Sequence, residues 1–562
     1  MPDEELSRIA GAEDGGVASQ TQGSEGSAGT PLDVTPSRYG AAFTLRVLAA
    51  AGACFFIALF VYLSLQRISY PFELEWMEGG SLQHLQRVLR GEPLYVTPSL
   101  EFVPYPYPPF YYYLGAVFAK LLGADLFTLR LISLLSTLGS IGLIYLFVWC
   151  ETGRGLPALV AAGVFAATFR ISGLYFDIAR IDSLFLVLAL LGLFLLRFRA
   201  SRPGLVAAAF VSFLCVMTKQ TGAVLLAPVM VWCVAQDWKQ GGRDLRRWRR
   251  FDLVLYYALP TAILVAVGSL LLNGVIDQSF LRHVVNAQQS HGVRGYMIPW
   301  FFGPDLMSPL PVACLFAIAY LVLLWDRSRL ADSFYLAVLV GTLLACLIPR
   351  IKVSGAANNL PPAHAVIAIL FGISLVKLPE LFGAASQRSR RPVELFLALC
   401  MVIQLAMLAY SPRGFVPNAM DRLCGERVVE LISSFEGEIL IPAQGYLAGM
   451  LGKKVYAHQM PVSDYAKSGL AEAPQLEREF AQAIREKRFA AIIDSTSTFL
   501  RNYPRGGVLQ EYYRPVRQVV EDRDAFKPIS GFRIRPGLLW VPKDAGKGPG
   551  PPHRQPGATP DS

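Results

Sequence analysis

With 53% of its 562 residues hydrophobic, only 17% charged and a mean hydropathy of +0.40, the chain is too apolar for a water-soluble globular protein and has the profile of a polytopic membrane protein. The net charge of +10 does not point to nucleic acid, because the basic residues fall in short runs between apolar stretches, where they orient a chain in a membrane. Of the cysteines only Cys424 lies in the polar C-terminal part, so neither a disulfide framework nor a zinc spacing is present.

Residues 1–40, rich in Gly, Ser, Glu and Asp, lack the apolar content for a core and are expected to form a disordered cytoplasmic tail. The first apolar stretch, 42–64, is not placed as a signal peptide and is expected to act as an uncleaved anchor. The outer loop 65–126 follows and carries Glu73, Glu75 and Glu78. On a short helix Glu75 and Glu78, three apart, would share a face about 5–6 Å apart and reach one metal ion or one bound sugar. Glu73 reads as solvated. The run 110–122 follows Pro108-Pro109 and spans about 13 residues, too few for a crossing, so a re-entrant or interfacial helix is expected there.

Further apolar stretches at 127–149, 157–176, 182–198, 204–218, 221–236, 254–272, 308–325, 333–349, 361–378 and 394–411 bring the expected transmembrane helices to about 11. With that count the loops holding Arg197/Arg199/Arg202, Arg243/Arg246/Arg247/Arg249/Arg250, Arg327/Arg329 and Arg388/Arg390/Arg391 fall on one face, which the positive-inside rule makes cytoplasmic. The acidic loop, the turn at 177–182, the tip at 219–220, the loop 273–307, the segment 350–362 and everything after about 412 then lie outside the cytoplasm.

Charges on that outer side need a reason, since an ionisable group within the apolar slab is penalised by roughly 2.5–3.5 kcal/mol. Arg170, Asp177, Arg180 and Asp182 surround one turn, and Lys219-Gln220 caps a short helical hairpin. Arg282, His283, His291 and Arg294 occupy the long loop, and Arg350, Lys352, Asn358, Asn359 and His364 flank the ninth and tenth spans. Cations converging beside carboxylates are what a phosphate attached to a reacting sugar requires. Arg180 and Asp182 serve equally well as a pair closing a helix end, Lys219 could snorkel, and the three histidines read as loop or interfacial residues.

The run Glu73-Leu-Glu-Trp-Met-Glu-Gly-Gly-Ser81, then Leu89-Arg-Gly-Glu-Pro-Leu-Tyr95 and Tyr105-Pro-Tyr-Pro-Pro-Phe-Tyr-Tyr-Tyr113, resembles the first outer loop of the GT-C membrane glycosyltransferases, in the branch of lipid A aminoarabinose transferases and protein O-mannosyltransferases. The Phe176-Asp-Ile-Ala-Arg-Ile-Asp182 turn, Thr218-Lys-Gln-Thr-Gly222 and Lys352-Val-Ser-Gly-Ala-Ala-Asn-Asn-Leu360 are similar to segments of bacterial members. That family carries an acidic pair after its first span. Glu78 falls at the second acidic place, Met77 stands where the aspartate usually would, and whether Glu75 has taken the first role stays open.

The resemblance implies a hexosyl- or pentosyltransferase of the cell envelope, a multi-pass protein of the bacterial inner membrane. It would move a sugar from a polyprenyl-phosphate donor to a lipid, glycan or protein acceptor at the extracytoplasmic face, among membrane lipids and without nucleic acid. Glu78 and Glu75 would be catalytic, and Arg180, Asp182, Lys219, Gln220, Arg350, Lys352, Asn358 and His364 would hold the donor phosphate and substrate. No nucleotide-binding glycine signature occurs, and participation of a divalent cation is left open.

After about 412 the pattern changes to strands at 438–441 and 490–494 around a helical 474–488, with further strands at 515–520 and 538–541. The expected architecture is therefore an α-helical polytopic membrane domain over 41–412, a small extracytoplasmic α/β domain over 413–542 and a flexible tail over 543–562. His458 and Asp464 have no metal-ligand spacing. The rival class is a transporter or flippase of a lipid-linked or anionic substrate. Transporters are commonly built from paired repeats with sites near the bilayer midplane, whereas no repeat is evident here and the charges gather at one face.

Overall fold

Lipid offers a backbone N–H no partner, so apolar stretches of this length satisfy their hydrogen bonds within helices. In the computed structural model the described residues are 39–241, 251–276, 280–286, 292–323, 330–353, 355–382 and 387–544. The expected N-terminal tail, nearly all of the C-terminal tail, His291 and the arginines at 243–250 and 327–329 lie outside them. Helices of ten or more residues are, in chain order, α1 Tyr39–Arg67, α2 Glu78–Leu89, α3 Phe110–Leu122, α4 Leu126–Thr152, α5 Gly155–Ala167, α6 Asp182–Phe198, α7 Arg202–Val216, α8 Thr221–Gly241, α9 Leu259–Leu271, α10 Pro311–Leu323, α11 Leu330–Arg350, α12 Pro361–Phe382, α13 Gln387–Met407, α14 Ala419–Ser433, α15 Gln459–Ser468 and α16 Ala473–Arg485.

Six described helices are long and apolar enough to cross a membrane, or seven if the pair Met297–Met307 and Pro311–Val322, bent by 100°, is one span. The expected count of about 11 is thus not reached on length. The stretches expected at 157–176 and 204–218 are helices of 13 and 15 residues. For the first of these the cause is local: the backbone turns left-handed at Gly173 (φ +68°) and Leu174 (φ +63°), so the chain after Ala167 winds through a turn before α6 begins. The run 110–122 is the short helix α3, with Val117 and Leu121 exposed on its outer side.

Small residues set the helix spacing. A Cβ added at Gly163 of α5 would stand 2.4 Å from the Ala53 Cβ of α1, and one at Gly372 of α12 would meet Val148 and Ala161. Without a hydrophobic drive between helices in lipid, such close backbone approach is what dispersion attraction needs. The C-terminal part folds as expected around a four-stranded sheet, β1 Ile439–Leu440, β2 Ala491–Ser495, β3 Tyr513–Gln518 and β4 Pro536–Pro542, in the order β1-β2-β4-β3. The β1–β2 pair is parallel and the others antiparallel. One buried apolar cluster joins this sheet to the outer loop, since Phe72 and Leu82 share it with Val428, Ile439 and Phe526.

Arg130, inside the apolar α4, is fully buried against the equally buried Glu78 at the start of α2. Its Nε donates to Glu78 Oε1 at 2.9 Å and its Nη2 to Oε2 at 2.6 Å, while further guanidinium N–H groups donate to the Tyr70 and Phe72 carbonyls. Glu78 in turn accepts from the backbone N–H of Leu74 and of Ala179. Loop, α4 and the turn before α6 are therefore fastened at one point. Arg67 and Asp177 fasten the end of α1 to the same turn. Removing one member of a buried pair leaves an uncompensated charge, a loss of about 3–5 kcal/mol, whereas replacing both by apolar groups restores much of it. Arg130→Met and Glu78→Leu singly are expected to lower the unfolding midpoint of the detergent-solubilised protein sharply, and the double variant less than either.

Candidate active site

A cavity of about 310 Å³ opens where the ends of several helices meet the outer loop and the C-terminal part. Glu75 reaches it from the loop between α1 and α2. It lies outside α2, at a single bridge to Ser530 just before the turn that leads into the helix, so Glu75 and Glu78 do not share a helical face as the spacing suggested. Its Oε2 accepts from Arg180 Nη1 at 3.2 Å and from the Met77 N–H at 3.0 Å, while its Oε1 is buried with no hydrogen-bond partner. Burial pushes the Glu75 carboxyl up and Arg180 draws it partly back, leaving it at about 7. A carboxylate balanced near neutrality is suited to taking a proton. Gly531, at φ +66°, makes room for it, since a Cβ there would stand 2.5 Å from Oε1.

From Arg180 the charges run on as a chain. Its Nε donates to Asp182 Oδ2 at 3.3 Å and its Nη2 to the Tyr107 hydroxyl at 3.2 Å. Lys219 Nζ donates to Asp182 Oδ1 at 2.7 Å and to Asn359 Oδ1 at 3.0 Å, and Asn358 Nδ2 donates to the same Asp182 oxygen at 3.1 Å. Arg180, Lys219, Gln220, Lys352, Asn358 and Asn359 line the cavity with Glu75, and Asp182 stands behind them as the common acceptor of Arg180, Lys219 and Asn358. The Gln220 Oε1 is buried and unpartnered, and burial pulls the Lys352 ammonium below its ordinary value.

Three residues expected at the site are not brought to the cavity. Glu78 has both oxygens committed to Arg130 and two backbone N–H groups; burial pushes its carboxyl up, but Arg130 outweighs this and the net displacement is downward. Arg350 is held by Asp305 and donates to the Gly355 carbonyl, and His364, fully buried in α12, lies between the Ser172 hydroxyl and the Asp305 carbonyl. Glu73, read as solvated, is buried: its Oε1 accepts from the Gly79 N–H at 2.9 Å and its Oε2 has no partner.

Sequence reasoning missed Arg130, although an arginine within a stretch expected to span a membrane demands a buried anion and so carried a signal. It also missed the wall supplied by the C-terminal part, for which no local signal exists. Among the described residues no group of three or more His, Cys, Asp and Glu side chains is placed to hold a metal ion. The donor set fits a resident divalent cation poorly, since Asp182 already carries Lys219 and Arg180, and Arg180 occupies one oxygen of Glu75.

No family model and no curated protein sequence matches the chain. Among solved structures, ArnT from Cupriavidus metallidurans in the apo state superposes with a TM-score of 0.55 at 15% identity, covering 87% of this chain and 98% of that one. The same protein bound to undecaprenyl phosphate gives 0.52 at 15% identity over 87% and 97%. The Archaeoglobus fulgidus oligosaccharyltransferase AglB, in complex with an inhibitory peptide and a dolichol-phosphate, gives 0.48 at 12% identity over 84% and 72%. At such identities the first two similarities concern the backbone alone, and on them the chain has the fold of ArnT.

Proposed function

We propose that the chain transfers a glycosyl group from a polyprenyl-phosphate donor to a hydroxyl of a lipid, glycan or protein acceptor at the extracytoplasmic face of the bacterial inner membrane. The observation that carries this is a buried, unpartnered carboxylate oxygen of Glu75 beside a cluster of cations in one cavity. A second observation supports a lipid-linked donor. An almost wholly apolar groove runs between α8 and α11, lined by Ala223, Val224, Ala227, Val340 and Leu344 among others. It starts two residues from Thr221 and five from Pro349, which line the cavity, so a prenyl chain laid in it brings its phosphate toward Lys219 and Lys352. ArnT, with the same fold, has been solved with undecaprenyl phosphate bound.

Glu75 Oε1 takes the acceptor hydroxyl proton as the acceptor oxygen bonds to the anomeric carbon. The bond from that carbon to the phosphate oxygen breaks with its electron pair, and polyprenyl phosphate departs. Lys219, Arg180 and Lys352 stabilise the charge that collects on it, and electrostatic stabilisation of this kind acts strongly in a site shielded from water. Glu78 takes no part in the chemistry and holds the loop that presents Glu75.

Glu75→Gln keeps the shape of the side chain and removes its basicity. Turnover is expected to fall about 10²–10⁴-fold while donor binding survives, checked by transfer assays alongside donor titration. Near-normal turnover would reject Glu75 as the base. Because Glu75 acts deprotonated and sits near 7, kcat/KM is expected to rise with pH through about 7 and level off above it, a limb that Glu75→Gln loses.

Lys219→Ala removes one charge-assisted contact to the phosphate, so Kd for a polyprenyl-phosphate sugar is expected to rise roughly ten- to a hundredfold. An unchanged Kd in a folded variant would place the phosphate elsewhere.

A further inference from the structure

One wall of the cavity comes wholly from the C-terminal part. Helix α15 turns Met460, Ser463, Asp464 and Lys467 to the cavity, spaced i, i+3, i+4, i+7 as one helical face requires. Beside it the segment Ser530–Ile534 is pinned at both ends. The Ser530 N–H donates to the Leu74 carbonyl at 3.0 Å, its hydroxyl donates to the Gly173 carbonyl at 2.5 Å, and Gln444 Nε2 donates to the Ile534 carbonyl at 3.1 Å.

Between the pins Phe532 lines the cavity while 50% exposed, its ring 5.8 Å from that of the nearly buried Trp76 in an edge-to-face arrangement. A lone exposed aromatic means little. This one is held in place next to the residue that roofs the free oxygen of Glu75, because Gly531 precedes it and Trp76 follows Glu75 in the chain. A hydroxyl delivered to Glu75 Oε1 from this side is carried by a group lying against both rings.

On the transfer proposed above, we infer that Phe532 and Trp76, with the polar face of α15, form the acceptor subsite and that the acceptor is a neutral carbohydrate. A sugar ring has an apolar C–H face and a rim of hydroxyls. Aromatic faces carry negative charge density that attracts the C–H side, and burying that side removes apolar surface from water. One serine, one aspartate and one lysine supply donors and acceptors for the rim and sum to no net charge. An anionic lipid headgroup would gain little from a wall on which Lys467 is offset by Asp464. A peptide would bring a run of backbone N–H and C=O groups, and no β-strand edge borders the cavity among the described residues to pair them.

The test uses the purified full-length chain and a set of methyl glycosides of hexoses and pentoses. Saturation-transfer NMR reads glycoside binding, and transfer kinetics at saturating polyprenyl-phosphate sugar read the acceptor KM. The expected results are glycoside binding by the wild type and an acceptor KM raised about tenfold in Phe532→Ala, with a smaller change in donor KM and recovery in Phe532→Tyr. Three results would overturn the inference: an acceptor KM unmoved in Phe532→Ala, a shift confined to the donor KM, or transfer to a serine-containing peptide but to none of the glycosides. The two levels separate. Failure of the transfer reaction shows as donor consumed with none of the acceptors, neither glycoside, peptide nor water, whereas failure of the acceptor subsite shows as sugar passed to the peptide or to water with no glycoside bound.

Discussion

A guanidinium inside an apolar helix must find an anion, and in this chain that requirement organises everything around the cavity. Arg130 is enclosed in α4 with no route to water, and the carboxylate that meets it, Glu78, stands on a different element. Because Glu78 also accepts from Leu74 and Ala179, the pair fixes the outer loop and the turn before α6 relative to α4. The Coulomb attraction of such a pair is offset by desolvation, so its yield is less in stability than in definition of geometry. The geometry it defines is the direction of the loop that carries Glu75.

The second set of charges shows the opposite design. Glu75, Arg180, Asp182 and Lys219 alternate in sign and are linked through single contacts near 3 Å, with asparagines at the far end. Asp182 has both oxygens committed, but its neighbours do not. Glu75 keeps one oxygen free, and Arg180 divides its N–H groups among Glu75, Asp182 and Tyr107.

The C-terminal part is a component of the site as well as its neighbour. Its apolar core continues into the outer loop, the Tyr446 hydroxyl accepts from the Glu73 N–H, and His458 contacts the Trp76 carbonyl. The absence of a side chain at Gly531 leaves the space that Glu75 occupies. Residues about 450 positions apart in the sequence thus build one cleft.

Much of the fold is legible in the sequence because its cause is local. Apolar length writes the long helices, and β-branched runs write β1 and β2 around the amphipathic α16. The acidic loop marks the site for the same reason: three glutamates beside an apolar slab have few innocent explanations. What the sequence does not contain is direction. Glu75 and Glu78 are three residues apart and chemically identical, yet one faces the cavity and the other is consumed by Arg130, because the helix begins between them and Arg130 takes both oxygens of Glu78 whereas Arg180 takes only one of Glu75. Arg350 and Lys352 are likewise two apart, and Asp305, distant in sequence, draws the first away while the second lines the cavity. Residue type and spacing determined which groups were available for chemistry. Which of them face the cavity was decided by contacts between segments far apart in the chain, and only the tertiary structure holds those.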